Sequence, residues 1–390
     1  MEPRKASVAL LYNGKNATAQ VSPYLASFTY TDVSSGSSDT ISVELNDRDR
    51  KWIGPWLPKT GDRLKPTIRT QNWDVDNIKT SFLCGAFCVD DFSFKGNPIR
   101  MSLDGVAIPA TSSFKSTKRT QTYEKTNLKE IGQKVAERAG IALFYEAKEM
   151  TIEKVEQNDQ DDCSFYNSLV TKYGFAMKIF NGKIVVFDEA TYEQKPTIAT
   201  LTEEDFDPNW SWNTSLAGTY TGVKYEYTNS KKNKTFTVEA GDGDRILTCN
   251  EAAENLTEAT AIALAALNSA NKSTTTLNIT LRGRWYIFAT ACVLIVGLGQ
   301  LSGKYYVEKA IHTLGDSGYK TALKLRKVEE RITEVKTQSS TVAERSKSKK
   351  SSSSKKSSSS SGTPAKGDTY TLKTTKKGYY TENISRCDVV

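Results

Sequence analysis

The side chains that could do chemistry are few and widely spaced. The only histidine, His312, lies between Ile311 and Thr313 in an alternating apolar and polar run, so we expect it to pack or hydrogen-bond inside a strand. Every dyad or triad that uses histidine would need this one residue, and no G-x-S-x-G sequence precedes it. We therefore predict no catalytic residue and no enzymatic activity.

Metal and cofactor sites have equally little support. Cys84 and Cys88 are four residues apart, but two thiols without histidine or further paired cysteines make a poor zinc site, so we predict that both are core residues. Asp242-Gly243-Asp244 lacks the glutamate of an EF-hand and is interpreted as a hairpin turn. Gly297-Leu298-Gly299 lacks the rest of a dinucleotide fingerprint, and no G-x-x-x-x-G-K loop occurs. We predict no metal ligand and no cofactor.

Three pairs of adjacent acidic residues occur, at Asp90-Asp91, Asp161-Asp162 and Glu203-Glu204. Neighbouring carboxylates are usually solvated or cap helices. A glycosidase instead needs two carboxyl groups that face each other across a cleft about 5 to 10 Å wide, and sequence does not reveal such a cleft. We expect solvated or capping roles for all three pairs.

Composition predicts a protein without a basic folded face. The 390 residues carry a net charge of +8, but much of the excess lies in one tail, at Arg345, Lys347, Lys349, Lys350, Lys355, Lys356 and Lys366. The remaining chain is close to neutral, which argues against specific nucleic-acid binding. Six scattered cysteines without a C-x-x-C pair indicate reduced thiols and assembly in a cytoplasm. We predict neither a signal peptide nor membrane insertion, since the apolar run Trp285–Gly299 is too short to span a bilayer and is interpreted as a buried strand pair.

Residues 1–110 are predicted to form a β-barrel domain of short strands. Ala6–Tyr12 precedes the hairpin signal Asn13-Gly14, and further strands follow at Tyr24–Tyr30, Asp39–Leu45, Arg63–Arg69, Phe82–Asp91 and Ile99–Leu103. Trp52–Pro58 is interpreted as a rigid aromatic turn.

Residues 111–200 change character and predict a small α+β domain. Asn127–Ala139 has apolar residues at helical spacing, with Thr126 as a plausible N-cap and Gly140 as a stop. A second helix over Asp162–Tyr173 begins at Asp161 or Asp162. Phe175–Phe187, with Asn181-Gly182 at its centre, predicts a β-hairpin.

Residues 201–335 are predicted to form a second β-barrel with one packed helix, Asn255–Ala270. Leu277–Arg282 alternates cleanly, and a hairpin follows from Gly303 to Arg326 around Gly315–Gly318. In that last strand Leu323 and Leu325 point one way, whereas Lys320, Lys324 and Arg326 point the other. Residues 336–365, rich in Ser and Lys, are predicted to be a disordered linker, and residues 366–390 a short module or docking peptide.

Three regions carry a resemblance to one family. They are W-x-x-x-W-x-P-x-x-G-D with G-x-F-x-V-D-D and N-P (Trp52, Trp56, Gly61, Asp62, Gly85, Phe87, Asp90 and Pro98), D-x-S-F-x-x-S-L-x-x-x-Y-G-F-x-x-K (Asp162 to Lys178), and G-K-Y-Y-V-x-K-x-x-H before G-Y-x-T-x-L-x-L-R (Gly303 to Arg326). In this order they resemble phage late control protein D, the baseplate hub of contractile tails, which is related to the first part of the type VI secretion spike protein. The resemblance covers most of residues 1–330.

The resemblance implies a structural hub in the virion tail baseplate, assembled in the host cytoplasm, that adapts a sixfold tail tube to a threefold spike. The implied fold is α+β, mainly β, with two β-barrels flanking the helix-containing domain. The implied partners are two further copies of the chain in a homotrimer, the central spike protein, the tail tube or tube-initiator protein, the wedge proteins and the tape-measure protein. The Ser/Lys linker and the extension depart from the family pattern.

Alternative functions stay open at this point. Gly367–Lys373 resembles the opening of a LysM cell-wall-binding repeat, although too few residues follow for a whole repeat. A tail-associated wall-binding or wall-degrading protein is therefore one alternative. A nucleic-acid-binding protein that uses the Lys-rich tail is another, and it would show steep salt dependence.

Overall fold

The computed structural model describes residues 2–107 and 114–341 and confirms the predicted fold class, α+β and mainly β. Over these residues, none of the five α-helices is long and apolar enough to cross a membrane. The buried apolar side chains form four clusters, which correspond to the groups of elements described below. The domain boundaries at residues 110 and 200 stay predictions, and residues 342–390, with most of the predicted linker and the whole extension, lie outside the described part.

The N-terminal group contains eight strands and one short helix: β1 (Lys5–Tyr12), β2 (Lys15–Asn16), α1 (Thr18–Val21), β3 (Leu25–Val33), β4 (Thr40–Asn46), β5 (Arg63–Gln71), β6 (Lys79–Leu83), β7 (Phe87–Lys95) and β8 (Arg100–Val106). Asn13 and Gly14 both have positive φ and form the predicted hairpin between β1 and β2. The single strand predicted over Phe82–Asp91 is two strands, because Gly85 adopts a φ of 113° and breaks the run.

The helical group follows, with β9 (Lys118–Asn127), α2 (Leu128–Ala139), β10 (Ala142–Glu146), β11 (Thr151–Asp161), α3 (Asp162–Lys172), β12 (Ala176–Phe180) and β13 (Lys183–Phe187). Asn127 caps α2 by accepting a hydrogen bond from the Glu130 backbone N–H at 2.8 Å, so the predicted cap at Thr126 is wrong by one residue. The Thr126 hydroxyl instead donates to the Glu130 carboxylate. Asp161 caps α3 through the Ser164 backbone N–H, which decides between the two aspartates.

The antiparallel pair of β9 and β11 had no sequence signal. Most of its side chains are exposed, and only a few, such as Tyr123 and Ile152, are buried. A period-2 pattern requires one face to be consistently apolar, and this two-stranded sheet has no such face. By contrast, the hairpin of β12 and β13 forms as predicted around Asn181-Gly182, both with positive φ.

The C-terminal elements are α4 (Glu189–Gln194), β14 (Thr197–Leu201), β15 (Ser211–Thr214), β16 (Gly222–Asn229), β17 (Lys234–Gly241), β18 (Ile246–Cys249), α5 (Leu256–Asn271), β19 (Thr275–Arg282), β20 (Cys292–Ile295), β21 (Gly303–Gly315), β22 (Gly318–Lys327) and β23 (Val335–Thr341). They divide into a closing group (β14, β15 and β19–β22) and a side group (β16–β18, β23 and α5) with separate cores.

Three details of this region differ from the prediction. The apolar run Trp285–Gly299 was predicted to form two buried strands but contains one, β20, preceded by an irregular segment. Ile287 in that segment is buried all the same, because an apolar side chain can be buried without belonging to a strand. Helix α5 packs on β16 and β17 of the side group instead of the closing strands. Strand β23 lies at the start of the predicted linker and pairs with β17, because backbone hydrogen bonds hold a polar strand to a sheet edge without apolar side chains.

One continuous sheet joins the N-terminal and closing groups. Its main path is β15-β19-β22-β21-β3-β4-β8-β7-β5-β1-β2, and within the described residues this path does not close on itself. The connection is the antiparallel pairing of β3 with β21, from Phe28 opposite Leu314 to Val33 opposite Lys309. The two barrels implied by the sequence therefore stay a prediction.

Candidate functional site

The aromatic turn after β4 is fixed by one buried carboxylate. Asp47 accepts backbone hydrogen bonds from Trp52 at 3.1 Å and from Ile53 at 2.9 Å. Trp52 points into the core, whereas Trp56 packs edge-on against it with ring centroids 5.4 Å apart and keeps 37% of its surface exposed. The predicted turn is confirmed, and it is anchored by Asp47, which the sequence motif did not include.

The turn forms one wall of an apolar groove of about 550 Å³. Leu10, Val43, Leu45 and Leu64 of the strands line its base, while Leu57 is exposed at its rim. A surface of this kind suits contact with apolar side chains. The one carboxylate among its lining residues, Asp62, serves the adjoining hairpin.

Gly61-Asp62 of the sequence motif supports the β1–β2 hairpin. The Asp62 carboxylate accepts hydrogen bonds from the Tyr12 hydroxyl, the Asn13 amide at 2.9 Å and the Lys59 backbone N–H at 2.9 Å. Burial alone would raise the pKa of Asp62, but the hydrogen bonds from Asn13 and Tyr12 hold it below its usual value. The residue is therefore an ionised acceptor that ties β5 to the hairpin.

His312 is fully buried in β21 and occupies the packing and hydrogen-bonding position expected for it. Its Nδ1 lies 2.9 Å from the Tyr319 hydroxyl and 3.3 Å from the Thr321 hydroxyl, and its ring stacks on Tyr30. Burial lowers the pKa of His312 to about 4, so the ring is neutral at physiological pH. A neutral imidazole enclosed by hydroxyl and aromatic groups stabilises the core.

The other candidate residues lie apart from one another. Cys84, at the break before β7, and Cys88, within β7, are both buried, as predicted. Asp90 and Asp91 are exposed at a bulge in β7. Glu203-Glu204 begins a short 3₁₀ turn. Among the residues that the structure describes, no three His, Cys, Asp or Glu side chains converge on a point suited to a metal ion.

Two acidic segments differ from their predicted roles. Asp162 is buried and paired with Arg138 at 2.8 Å and with Arg119 at 3.3 Å, because it faces β9 and α2 instead of solvent. Asp242-Gly243-Asp244 is a turn but does not close a hairpin. The chain crosses there from β17 to the other side of β16, where β18 pairs in parallel.

The most concentrated polar chemistry lies where the groups of elements meet. Lys178 on β12 reaches out of the helical group to two carboxylates of the N-terminal group, Asp32 at 2.7 Å and Asp39 at 3.3 Å. The other Asp32 oxygen accepts from the Ala289 backbone N–H of the closing group at 2.8 Å. All three charged side chains are at least nine-tenths buried. A single ion-pair cluster thus joins three segments that are distant in sequence, and we refer to it as the Lys178 cluster.

A second buried network centres on Arg326, which keeps 3% of its surface exposed. The guanidinium contacts the carboxylates of Glu193 and Glu308 and lies 4.3 Å from the Tyr306 ring centroid. Arg331 forms a two-pronged pair with Glu193 at 2.7 and 2.8 Å. Burial would raise the pKa of Glu193, but hydrogen bonding to Arg331 and the charge of Arg326 lower it. The network fixes α4 to β21, β22 and the segment after them.

Little in the sequence indicates these junctions. From sequence alone, Arg326 belongs to the polar face of β22 and is expected to contact solvent. Lys178 belongs to a predicted hairpin and is expected to lie at the surface. Their partners Asp32 and Glu193 lie 146 and 133 residues away by sequence number. One feature of the sequence does point to a junction: Lys178 is the last residue of the second family-like motif, Asp162 to Lys178. Pairing across such separations is decided by tertiary packing.

Comparison with known proteins gives a consistent result. The chain is 26% identical over 235 residues to the probable baseplate hub protein of Escherichia phage 186 and 26% identical over 237 residues to that of Escherichia phage P2. Each match covers 58% of this chain and 57% of the relative. The resemblance to baseplate hub proteins is confirmed.

The structural similarity to known proteins covers more of the chain than the sequence match does. The 43 kDa tail protein of prophage MuSo2 from Shewanella oneidensis superimposes with a TM-score of 0.63 at 12% identity, over 83% of this chain and 98% of that one. No family model matches the sequence. The matched part spans a little over half the length of the two phage hub proteins, so their role comes to this chain as a proposal.

Proposed function

We propose that this chain is a structural baseplate hub of a contractile phage tail or a related injection particle. It would be assembled in the host cytoplasm and reside in the tail baseplate of the virion. The observation that most directly supports this function is the sequence similarity to two phage hub proteins. A fold shared over most of the chain with a prophage tail protein agrees with it. The junctions support this role, because a hub must hold its parts in a fixed relation under load.

We further propose that the N-terminal and closing groups act as two barrel-like units of a homotrimer. Three chains with two such units each would present six similar edges to a sixfold tube and three equivalent features to a threefold spike. The pairing of β3 with β21 supports the idea, since it holds the two units side by side in one sheet. Residues 1–110, 111–200 and 201–341 are the proposed domains.

The proposed partners are the central spike protein, the tail tube or tube-initiator protein, the wedge proteins and the tape-measure protein. The proposed role includes neither membrane insertion nor specific nucleic-acid binding, and it uses no cofactor. It is also non-enzymatic. Support comes from His312, whose buried and neutral ring is enclosed by Tyr30, Tyr319 and Thr321.

The decisive experiment measures assembly. The purified chain should have the mass of a trimer by light scattering, and class averages by electron microscopy should show a ring of six similar densities. The same preparation incubated with peptidoglycan should release no soluble fragments. A monomer at micromolar concentration, or turnover of peptidoglycan, would contradict the proposal and favour the wall-degrading alternative.

A further inference from the structure

The Lys178 cluster has an unbalanced charge. Two buried carboxylates, Asp32 and Asp39, share one ammonium group, so the cluster carries one excess negative charge when both are ionised. The Val33 backbone N–H donates to Asp39 at 3.0 Å and the Tyr30 hydroxyl donates to it at 3.3 Å. These neutral donors reduce the imbalance but do not remove it, because a buried net charge remains costly.

Among the residues that the structure describes, Lys178 is the one cation that faces Asp39. The ionisable groups that face the carboxylate from the packed elements are Asp32 and Tyr30 of β3, Lys178 of β12 and Cys84 before β7. The His312 ring of β21 stacks behind Tyr30 at a centroid distance of 5.9 Å and is neutral. A proton shared with the cluster is therefore the available way to balance its charge.

We propose that the Lys178 cluster is a pH-sensitive latch, which holds the helical group against the N-terminal and closing groups most tightly when it carries one extra proton. The position of Lys178 makes it a latch. Its side chain reaches from β12 into the N-terminal group, and the Asp32 carboxylate that receives it also accepts a hydrogen bond from the Ala289 backbone N–H of the closing group. The inference concerns a single chain and does not depend on the proposed hub function.

The direction of the pH dependence follows from the protonation states. Burial, with Asp32 nearby, raises the pKa of Asp39 to about 7, against an ordinary value near 4 when the cluster is open to water. Between these values the open form loses a proton that the closed form keeps. The opening equilibrium constant should therefore rise by up to about tenfold per pH unit until pH about 7 and then level off.

Hydrogen exchange of the full-length protein, measured by mass spectrometry between pH 5 and pH 8 and corrected for intrinsic rates, tests the latch. Peptides that contain β12 and residues 287–291 should open at least tenfold more readily at pH 7.5 than at pH 5. Asp39→Asn should reduce this change to less than threefold, because the titrating group is gone. Protonation of His312 could also change the exchange of these peptides with pH, but it does so equally in the wild type and in Asp39→Asn and cancels when the two proteins are compared.

Two further variants control the result. Asp159→Asn removes a carboxylate with a side chain 78% exposed, at a position of positive φ that asparagine tolerates, and should keep the wild-type pH dependence. Lys178→Met should increase opening of β12 at every pH, because two carboxyl groups lose their cation. The latch is refuted if wild-type opening is independent of pH over this range, if Asp39→Asn retains the full change, or if Lys178→Met protects β12 as well as the wild type does.

Discussion

Charged side chains are buried in this protein mainly where segments distant in sequence meet. Lys178 and Arg326 each bind two or more carboxylates that come from other elements of the fold. Such groups can be buried only when each charge is paired with an opposite charge. Removal of one partner leaves an uncompensated buried charge, which strongly destabilises the folded state. The junctions should therefore be more sensitive to substitution than their surface-like sequence suggests.

Arg326→Met tests this sensitivity. The change leaves Glu189 and Glu193 buried with a weaker set of cations, so we expect a loss of about 3–5 kcal/mol in the free energy of unfolding. Lys324→Met is the matched control, because Lys324 lies on the same strand and also binds Glu308, but its side chain is 51% exposed. Its cost should be below about 1 kcal/mol. Equal costs in chemical denaturation would contradict the assigned role of Arg326.

His312 provides a second test at the level of single residues. The pKa of His312 in the folded chain is about 4, below the ordinary value near 6.5. Between these two pH values the unfolded chain therefore binds a proton at His312 that the folded chain does not bind. Its contribution to stability is therefore present above pH 6.5 and is lost as the pH falls toward 4, by up to about 1.4 kcal/mol per unit.

The measurement is direct because the chain contains one histidine. In a protein labelled at the histidine ring, the single NMR signal should stay at its neutral position from pH 8 down to about pH 5. His312→Asn should flatten the difference in stability between pH 6.5 and pH 5 relative to the wild type. A midpoint near 6.5 would mean that the ring is exposed to water.

At the scale of elements, helices α2 and α3 pack more closely than their apolar stripes require. Gly132 of α2 faces Tyr166 of α3, and a methyl group built on Gly132 would lie 2.1 Å from the Tyr166 hydroxyl oxygen. That hydroxyl donates to the Leu128 carbonyl, and the Tyr166 side chain is fully buried. The glycine therefore sets the distance between the two helices.

Gly132→Ala should reverse the usual effect of this substitution. In an exposed helix the change stabilises by about 0.5–1 kcal/mol, whereas the overlap with Tyr166 should cost about 1–3 kcal/mol or more. Gly96→Ala is the control, since Gly96 has open space around its Cα. Thermal unfolding should show a lower Tm for Gly132→Ala and little change for Gly96→Ala. An increase in Tm for the first variant would show that the helices separate freely.

At the scale of the whole molecule, strand β23 extends the described structure into the predicted linker, as far as residue 341. This strand pairs with β17 from Val335 opposite Ala240 to Thr341 opposite Lys234. A truncation to test the role of the tail should therefore remove residues 342–390 and not begin at residue 336.

Deletion of residues 342–390 should leave the Tm and the trimer mass unchanged, because the proposed ring uses the earlier residues. Deletion of residues 335–390 should lower stability, since it exposes the edge of β17 and removes a seven-residue strand. Loss of the trimer on the shorter deletion would refute the proposal that residues before 342 form the ring. Equal stability of the two truncated proteins would show that β23 does not contribute.

Much of the secondary structure could be predicted from local signals. The hairpins at Asn13-Gly14 and Asn181-Gly182, the stop of α2 at Gly140 and the long β21–β22 hairpin all form where sequence places them. Such features depend on the dihedral preferences of a few adjacent residues and on the period of apolar side chains, and both can be read from a short window. The family-like motifs extended this information to the overall role.

Only the tertiary structure decided how the pieces join. The pairing of β3 with β21, the placement of α5 on the side group and the contacts of Lys178 and Arg326 all link residues far apart along the chain. A charged residue has the same sequence signature whether it faces water or a buried partner, because its environment is supplied by segments that approach only on folding. The local elements were thus determined by neighbouring residues, whereas the junctions were determined by the packing of the whole chain.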